Sequence, residues 1–116
     1  MSKKSLTSYS VNRSVQELEK IILEKTGLKK ATLHEKAIEY FYNEKNDQVH
    51  PRLLLRANEK GYVERDTREQ VYVSEEMRRM IRELAELPYN QCDESTVFFH
   101  ALMTYCNIQY QLLIKG

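Results

Sequence analysis

The sequence predicts a mainly α-helical protein with a short two-stranded antiparallel β-ribbon. Two short β-prone segments lie about sixty positions apart, and each precedes two segments with the three- and four-residue apolar spacing of amphipathic helices. The composition agrees with this fold class: of 116 residues, 30% are charged, 41% are hydrophobic, three are Gly and two are Pro. These values exclude collagen, low-complexity linkers and extended disorder.

The first β-prone segment ends at Val11. Larger side chains alternate there with the hydroxyls of Ser8 and Ser10, as in a strand with one buried face. Asn12 is a favourable cap for the helix that follows. Gly27 ends that helix, because glycine adopts the left-handed conformation at little cost. The expected apolar stripe of this helix consists of Val15, Leu18, Ile21 and Ile22.

A second helix is expected to begin near residues 30–32 and to end at residues 43–47. The connector after it is polar and mixed. His50-Pro51 interrupts any helix, because the residue before a proline avoids helical geometry. Three consecutive leucines within Arg52–Arg56 predict a short helix that packs against the rest of the chain.

The second half repeats this order of elements. Val71–Val73 is a short β-prone run, Ser74 is a good helix cap, and Pro88 stops the helix that follows. Asp93 and Glu94 open the last helix, because carboxylates suit the positive end of the helix dipole. The expected apolar stripe of this last helix consists of Val97, Ala101, Leu102, Tyr105, Ile108 and Leu112.

The apolar positions of the two halves can be laid over one another. Val11 falls on Val73 with an offset of 62, and beyond the turn Leu33 falls on Val97 with an offset of 64. The pattern therefore predicts a duplicated unit. Its parts are unit 1 at residues 1–45, a connector with a short helix at residues 46–68, and a divergent unit 2 at residues 69–116.

Each short strand needs a partner, because an isolated strand leaves both edges unpaired. The two units can supply it by pairing their strands antiparallel within one chain, across a pseudo-two-fold axis. One face of the resulting ribbon packs on the helices, and the other face is exposed. The side chains expected on the exposed face are Ser8, Ser10, Gln70 and Tyr72.

Residues 5–42, with the segments Leu6–Asn12 and Glu24–Leu33, resemble the ribbon-helix-helix family. This family includes the Arc and methionine repressors, plasmid copy-number repressors and many antitoxins. Residues 69–106 resemble a second, divergent copy. Tandem copies in one chain are similar to accessory proteins of conjugative relaxosomes, which bind DNA near a transfer origin.

The resemblance implies sequence-specific binding of double-stranded DNA, as a transcriptional repressor or as an accessory factor in plasmid or mobile-element transfer. The ribbon would enter the major groove, and its outward side chains would contact base edges. This role falls on Ser8, Ser10, Gln70 and Tyr72. The start of the second helix would bind phosphate. The phosphate-binding residues implied are Lys29, Lys30, Ala31 and Thr32, with Lys3, Lys4 and Arg13 as additional cations.

The alternative is a protein-interaction or assembly module, such as an antitoxin-like adaptor, on a ribbon-helix-helix scaffold without DNA binding. The net charge of +1 does not decide between the two, although residues 1–58 carry 11 Lys/Arg against 7 Asp/Glu. Tyrosines on the predicted second helices of both units favour self-association or a protein partner. These tyrosines are Tyr40, Tyr42, Tyr105 and Tyr110.

An enzyme is not expected, since no nucleophile–base set or phosphate-binding Gly loop can be assembled. His34-Glu35 begins an H-E-x-x-H pattern, but Ile38 replaces the second histidine. We therefore expect no metal site and no cofactor. No apolar run approaches the roughly 20 residues of a membrane span, so no membrane partner is expected. The absence of an N-terminal secretory pattern and two cysteines, Cys92 and Cys106, indicate a reduced cytoplasmic setting.

Overall fold

A computed structural model describes residues 4–44 and 47–115 of the chain. About 60% of the chain is helical, and the remainder includes one two-stranded antiparallel sheet. The mainly α fold class with a short ribbon is thus confirmed. The elements in chain order are β1 (Ser5–Val11), α1 (Arg13–Thr26), α2 (Lys30–Asn43), a 3₁₀ helix (Pro51–Leu54), β2 (Thr67–Val73), α3 (Glu75–Glu86) and α4 (Glu94–Lys115).

The two strands pair with each other over their full length. The register runs from Ser5 opposite Val73 to Val11 opposite Thr67, and Ser8 lies opposite Gln70 at the centre. β2 begins at Thr67, four residues before the β-prone run that the sequence indicated. The two segments expected to form a ribbon are therefore adjacent and antiparallel.

The helix boundaries follow from local capping chemistry. Asn12 accepts a hydrogen bond from the Val15 amide at the start of α1, and Ser74 accepts one from the Met77 amide at the start of α3. Gly27 ends α1 with φ at 73°, a left-handed conformation that favours glycine. These three expected caps are confirmed.

One continuous core lies between the inner face of the ribbon and the four helices. Phe98 of α4 is fully buried at its centre, stacked on Tyr9 of β1 with ring centroids 4.9 Å apart. Val11 and Val71 complete the inner face of the ribbon beside them, with 0% exposure each. The alternation of the strands therefore separates a buried apolar face from an outward face.

The expected apolar stripes are partly wrong. In α1, Ile21 is 39% exposed, and Glu19 is buried in its place with Val15 and Ile22. In α4, Leu112 is 60% exposed, because the last turns of this helix extend past the other elements. The buried part of α4 ends at Cys106.

The connector also differs from its expectation. Its short helix is a 3₁₀ turn that begins at Pro51, where proline fits the first helical position, and it ends at Leu54 instead of Arg56. Only Leu53 among the three leucines is buried. The connector is fixed to α4 by Arg65, which donates hydrogen bonds to Thr96 Oγ1 at 2.7 Å and to the Leu53 carbonyl at 2.9 Å.

Candidate nucleic-acid interface

The outward face of the ribbon consists of three pairs of residues that lie opposite each other. The central pair is Ser8 and Gln70, with Ser10–Arg68 on one side and Leu6–Tyr72 on the other. Gln70 and Arg68 are exposed, and the serines are partly exposed beside them. The structure thus places the four expected base-contacting residues, Ser8, Ser10, Gln70 and Tyr72, on one face.

Arg68 links the two strands on this outward face. Its Nε donates to Ser8 Oγ at 2.9 Å, its Nη1 donates to Ser10 Oγ at 3.1 Å, and its Nη2 donates to the Ser8 carbonyl at 3.1 Å. These surface hydrogen bonds hold the guanidinium against the ribbon with its long side chain extended across β1. Arg68 is not among the residues expected at the site, because β2 begins at Thr67, earlier than the sequence pattern predicts.

Tyr72 and Leu6 give the same face an apolar end. They are 53% and 52% exposed and lie opposite each other in the register. Such a pair can contact the thymine methyl group, which is the apolar feature of the major groove. The outward face therefore offers a guanidinium, an amide, two hydroxyls and an apolar contact surface.

The start of α2 lies beside the ribbon, since Lys30 Nζ in its first turn is 3.5 Å from Glu69 Oε2 of β2. Lys29 occupies the N-cap position, where the described residues provide no side-chain cap, and the first turn contains no acidic residue. The amides of Lys30, Ala31 and Thr32 fall in the first turn, where backbone N–H groups have no partner within the helix. Thr32 is partly buried, and both lysines are exposed.

The lysines at this helix start have different surroundings. Lys30 Nζ lies 3.5 Å from Glu69 Oε2 and 4.0 Å from Glu19 Oε1, so its charge is already paired with two buried carboxylates. Lys29 is exposed at the surface. Lys29 is therefore better placed than Lys30 to meet an external anion.

The remaining cations predicted to contact phosphate flank the ribbon. Arg13 is exposed at the first position of α1, two residues after β1 ends. Lys4 directly precedes β1, and its Nζ lies 3.6 Å from Glu35 Oε2. Lys3 lies outside the described residues.

The start of α4 lies on the other side of the ribbon, next to β1. The Ser10 amide donates to Ser95 Oγ at 3.1 Å. The Glu94 carboxylate lies 3.7 Å from Arg78 Nη1 and 3.6 Å from Arg82 Nε, so its charge is opposed by two arginines of α3. Asp93 Oδ1 accepts from the Thr96 amide at 2.8 Å. The N-terminus of α4 is therefore already capped, unlike that of α2.

A buried polar cluster lies directly behind the ribbon. His34 Nε2 of α2 is 2.6 Å from Glu19 Oε2 of α1 and 3.1 Å from Glu69 Oε2 of β2. The three residues are only 1%, 4% and 2% exposed, respectively. Gln16 Nε2 donates to the other oxygen of Glu69, Oε1, at 2.9 Å. We call Glu19, His34 and Glu69 the buried triad.

The surroundings of the triad set its protonation. Burial alone would raise the pKa of Glu69, but hydrogen bonds from His34, Glu19 and Gln16 lower it to about 2. Burial raises the pKa of Glu19. Burial would lower the pKa of His34, but the hydrogen bonds to Glu19 and Glu69 outweigh it and raise the pKa. These surroundings therefore favour the ionised form of Glu69 and the protonated form of the His34 imidazole.

Sequence patterns contained signals for the residues that were missed. Glu19 lies four positions after Val15 and three before Ile22, which places it on the buried stripe of α1. Glu69 alternates with Gln70 and so shares the inner face with Val71. Polar residues at positions that periodicity assigns to the core point to a buried polar cluster. The offset of 62 likewise gives Arg68 the same place in the second unit that Leu6 has in the first, on the outward face of the strand.

Protein-family models, curated proteins and solved structures gave no match. Within the described residues, no helix combines the length and apolar character that a bilayer crossing requires. The resemblance to the ribbon-helix-helix family therefore rests on the sequence of this chain alone.

Proposed function

We propose that this chain is an intrachain pair of ribbon-helix-helix units that binds double-stranded DNA with its ribbon in the major groove. The observation that carries the proposal is the outward face of the ribbon, on which Arg68, Gln70 and the two serines form one polar surface. A two-stranded ribbon fits the width of the major groove, and arginine and glutamine are side chains that contact guanine and adenine edges there.

The boundaries of the elements support the duplication. The strands span residues 5–11 and 67–73, so both ends differ by 62 positions. Residues that correspond under this offset, Ser8 and Gln70, are also opposite each other in the ribbon. A two-fold axis through that pair would exchange the strands. α1 and α3 also begin 62 positions apart, and α2 and α4 begin 64 positions apart.

The two halves would contribute unequally to DNA binding. The start of α2 has free backbone amides and Lys29, whereas the start of α4 is capped by Asp93 and carries Glu94. Phosphate binding at a helix start requires available N–H groups and is opposed by nearby carboxylates. Unit 1 would therefore hold the phosphate backbone, and both strands would contact bases.

The proposal is tested by binding the chain to a pool of random duplexes at 50 mM salt. The retained duplexes are then sequenced. We expect retention and enrichment of a short sequence motif. Lys29→Glu should weaken retention and reduce the dependence of binding on salt, since each lost phosphate contact lowers the salt slope by about 1. The matched control is Lys115→Glu, which makes the same charge change at the opposite end of α4 from the ribbon. Absence of duplex retention would contradict DNA binding.

The end of α4 favours the second candidate, a protein-interaction module. Leu112 and Ile114 are each 60% exposed, and Leu113 is 37% exposed. Exposed apolar side chains in one short segment are typical of a contact surface for another protein or for a second copy of the chain. Sedimentation of the native chain as a dimer would support this candidate, provided that the double variant Leu112→Ser with Ile114→Ser sediments as a monomer. The same result requires that the native chain retains no duplex.

The expected tyrosine surface contributes less to this second candidate. Tyr40 and Tyr105 are partly buried against each other, with ring centroids 5.6 Å apart. Tyr42 donates to Glu83 Oε2 at 2.8 Å on the side of α3. All four tyrosines, Tyr110 included, are only partly exposed. They therefore do not form one exposed patch, and the end of α4 is the better candidate surface. The assignment to repression or to plasmid transfer is part of the proposal and follows from the family resemblance. The cytoplasmic setting is also part of the proposal, and it follows from the N-terminal pattern and the two cysteines.

A further inference from the structure

We propose that the buried triad of Glu19, His34 and Glu69 binds a divalent transition-metal ion of the Zn²⁺ class. The three residues offer one imidazole nitrogen and two carboxylate oxygens, all within 4.8 Å of one another. Imidazole and carboxylate together are ligands that Zn²⁺ accepts in proteins. This inference does not depend on DNA binding, because the triad lies on the inner side of the ribbon.

The spacing of the donor atoms is close to that of a metal centre. His34 Nε2 is 2.6 Å from Glu19 Oε2 and 3.1 Å from Glu69 Oε2. Zinc–ligand bonds of about 2.0–2.2 Å in tetrahedral geometry separate neighbouring ligand atoms by about 3.3 Å. The carboxylate oxygens lie within 4.8 Å of each other, so binding would bring them closer together and move both slightly away from His34 Nε2. Side-chain rotation alone can supply such a change.

The scaffold around the triad is fixed. The three side chains come from three elements, α1, α2 and β2, and all are at least nine-tenths buried. Gln16 donates to Glu69 Oε1 at 2.9 Å, which orients the carboxylate so that Oε2 faces His34. A hydrogen-bonded partner of this kind holds a metal ligand in place and adds to the affinity of a site.

An entry path reaches the triad from the surface. A surface cavity of about 480 Å³ is lined by Glu19 and Glu69 of the triad but not by His34. Water from this cavity could complete the coordination as a fourth ligand, since three protein ligands leave one position of a tetrahedral ion open. The other residues that line the cavity are Gln16, Lys20, Leu23, Glu24 and Lys30.

Lys30 is the cation that the metal ion would displace. Its Nζ lies 3.5 Å from Glu69 Oε2 and 4.0 Å from Glu19 Oε1, while half of its side chain is exposed to solvent. A flexible side chain at the mouth of the cavity can move outward without disturbing the core. The ion would also replace the proton on His34 Nε2, which would pass to solvent, because the ligating nitrogen must supply its lone pair.

Titration of the chelator-treated full chain with ZnCl₂ by isothermal calorimetry tests this inference. We expect one ion per chain and a higher melting temperature in its presence. Glu19→Gln keeps the shape of the side chain and should weaken binding at least ten-fold. Lys30→Met should tighten binding, because it removes the competing cation, a result that a merely structural triad would not give.

The control variant is His100→Gln, which removes a partly buried imidazole outside the triad and should leave the affinity unchanged. Co²⁺ in place of Zn²⁺ adds an absorption spectrum that reports coordination by His34 and the carboxylates directly. No one-to-one binding at millimolar ZnCl₂ would overturn the site. Binding that Glu19→Gln leaves unaltered, or that His100→Gln abolishes, would also overturn it.

Discussion

Arg68 of β2 lies across the ribbon against Ser8 of β1, with its Nε donating to Ser8 Oγ at 2.9 Å and its Nη2 donating to the Ser8 carbonyl at 3.1 Å. The guanidinium is thereby held in an extended position on the outward face. On duplex DNA it could exchange these surface hydrogen bonds for the two acceptors of a guanine edge. Preordering of this kind lowers the entropic cost of binding.

Arg68→Ala should weaken binding to the enriched duplex by about 1–3 kcal/mol, the usual worth of a bidentate base contact. Arg68→Lys keeps the charge but not the two-pronged geometry, and we expect it to retain non-specific binding while it loses sequence preference. Fluorescence anisotropy with enriched and scrambled duplexes measures both. Because Arg68 is exposed, its replacement should change the free energy of unfolding by less than about 0.5 kcal/mol. Unaltered affinity in Arg68→Ala would exclude it from the interface.

The ribbon joins β1 and β2 of the same chain, so folding should not require association. We expect the same melting temperature from nanomolar to high micromolar protein concentration. The double variant Leu112→Ser with Ile114→Ser serves as control, because it removes the exposed apolar side chains of α4. A concentration dependence that persists in the double variant would show that the strands pair between chains.

Phe98 of α4 joins the second half of the chain to two residues of the first half. Its ring stacks on Tyr9 and meets the edge of His34 with centroids 5.2 Å apart. Phe98→Ala should lower the free energy of unfolding by about 3–5 kcal/mol, because it leaves a cavity in a fully buried position. Leu112→Ala, on the exposed end of the same helix, should cost less than about 0.5 kcal/mol. Denaturant titrations measure both, and similar losses would contradict the position of the core.

His100 makes the stability depend on pH. Burial, and next the neighbouring His50, lower the pKa of His100 to about 4, and its Nδ1 accepts a hydrogen bond from the His50 amide at 3.1 Å. The unfolded chain binds a proton at this imidazole more readily. Unfolding therefore takes up a proton between pH values of about 6.5 and 4, and stability falls as the pH drops through this window.

We expect this term to remove roughly 2 kcal/mol of stability by pH 4, after allowance for partial solvent screening. The comparison is between the native chain and His100→Leu, with the free energy of unfolding measured by denaturant titration at several pH values. As the pH falls from about 6.5 to 4, the free energy of unfolding of the native chain should fall more than that of the variant, because the variant has no imidazole to protonate. Parallel curves would rule out this origin of acid sensitivity.

Local signals in the sequence were sufficient for most of the fold. Helix caps at Asn12 and Ser74 and the left-handed Gly27 depend on a few neighbouring residues, and the structure has all three. Strand pairing followed from the requirement that two short strands satisfy each other's edges. The exposed end of α4 was not predictable, because the apolar spacing continues after the packing partners of the helix end.

The buried triad required a combination that no local pattern contains. Glu19, His34 and Glu69 are 15 and 35 positions apart and meet only when α1, α2 and β2 pack together. The H-E-x-x-H pattern tests only for a second histidine one helical turn after His34, where the chain has Ile38. The partners of His34 lie instead on α1 and β2. Periodicity assigns Glu19 and Glu69 to buried faces of α1 and β2, but it does not show that these two residues meet His34.

The most direct measurement of the central claim uses the enriched duplex in which the guanines are replaced by 7-deazaguanine. This change removes a hydrogen-bond acceptor from the major groove alone and leaves the backbone charge unaltered. Insertion of the ribbon predicts that the native chain binds the modified duplex more weakly, while Arg68→Ala binds modified and unmodified duplexes equally. Equal binding of both duplexes by the native chain would contradict contact between Arg68 and the major groove.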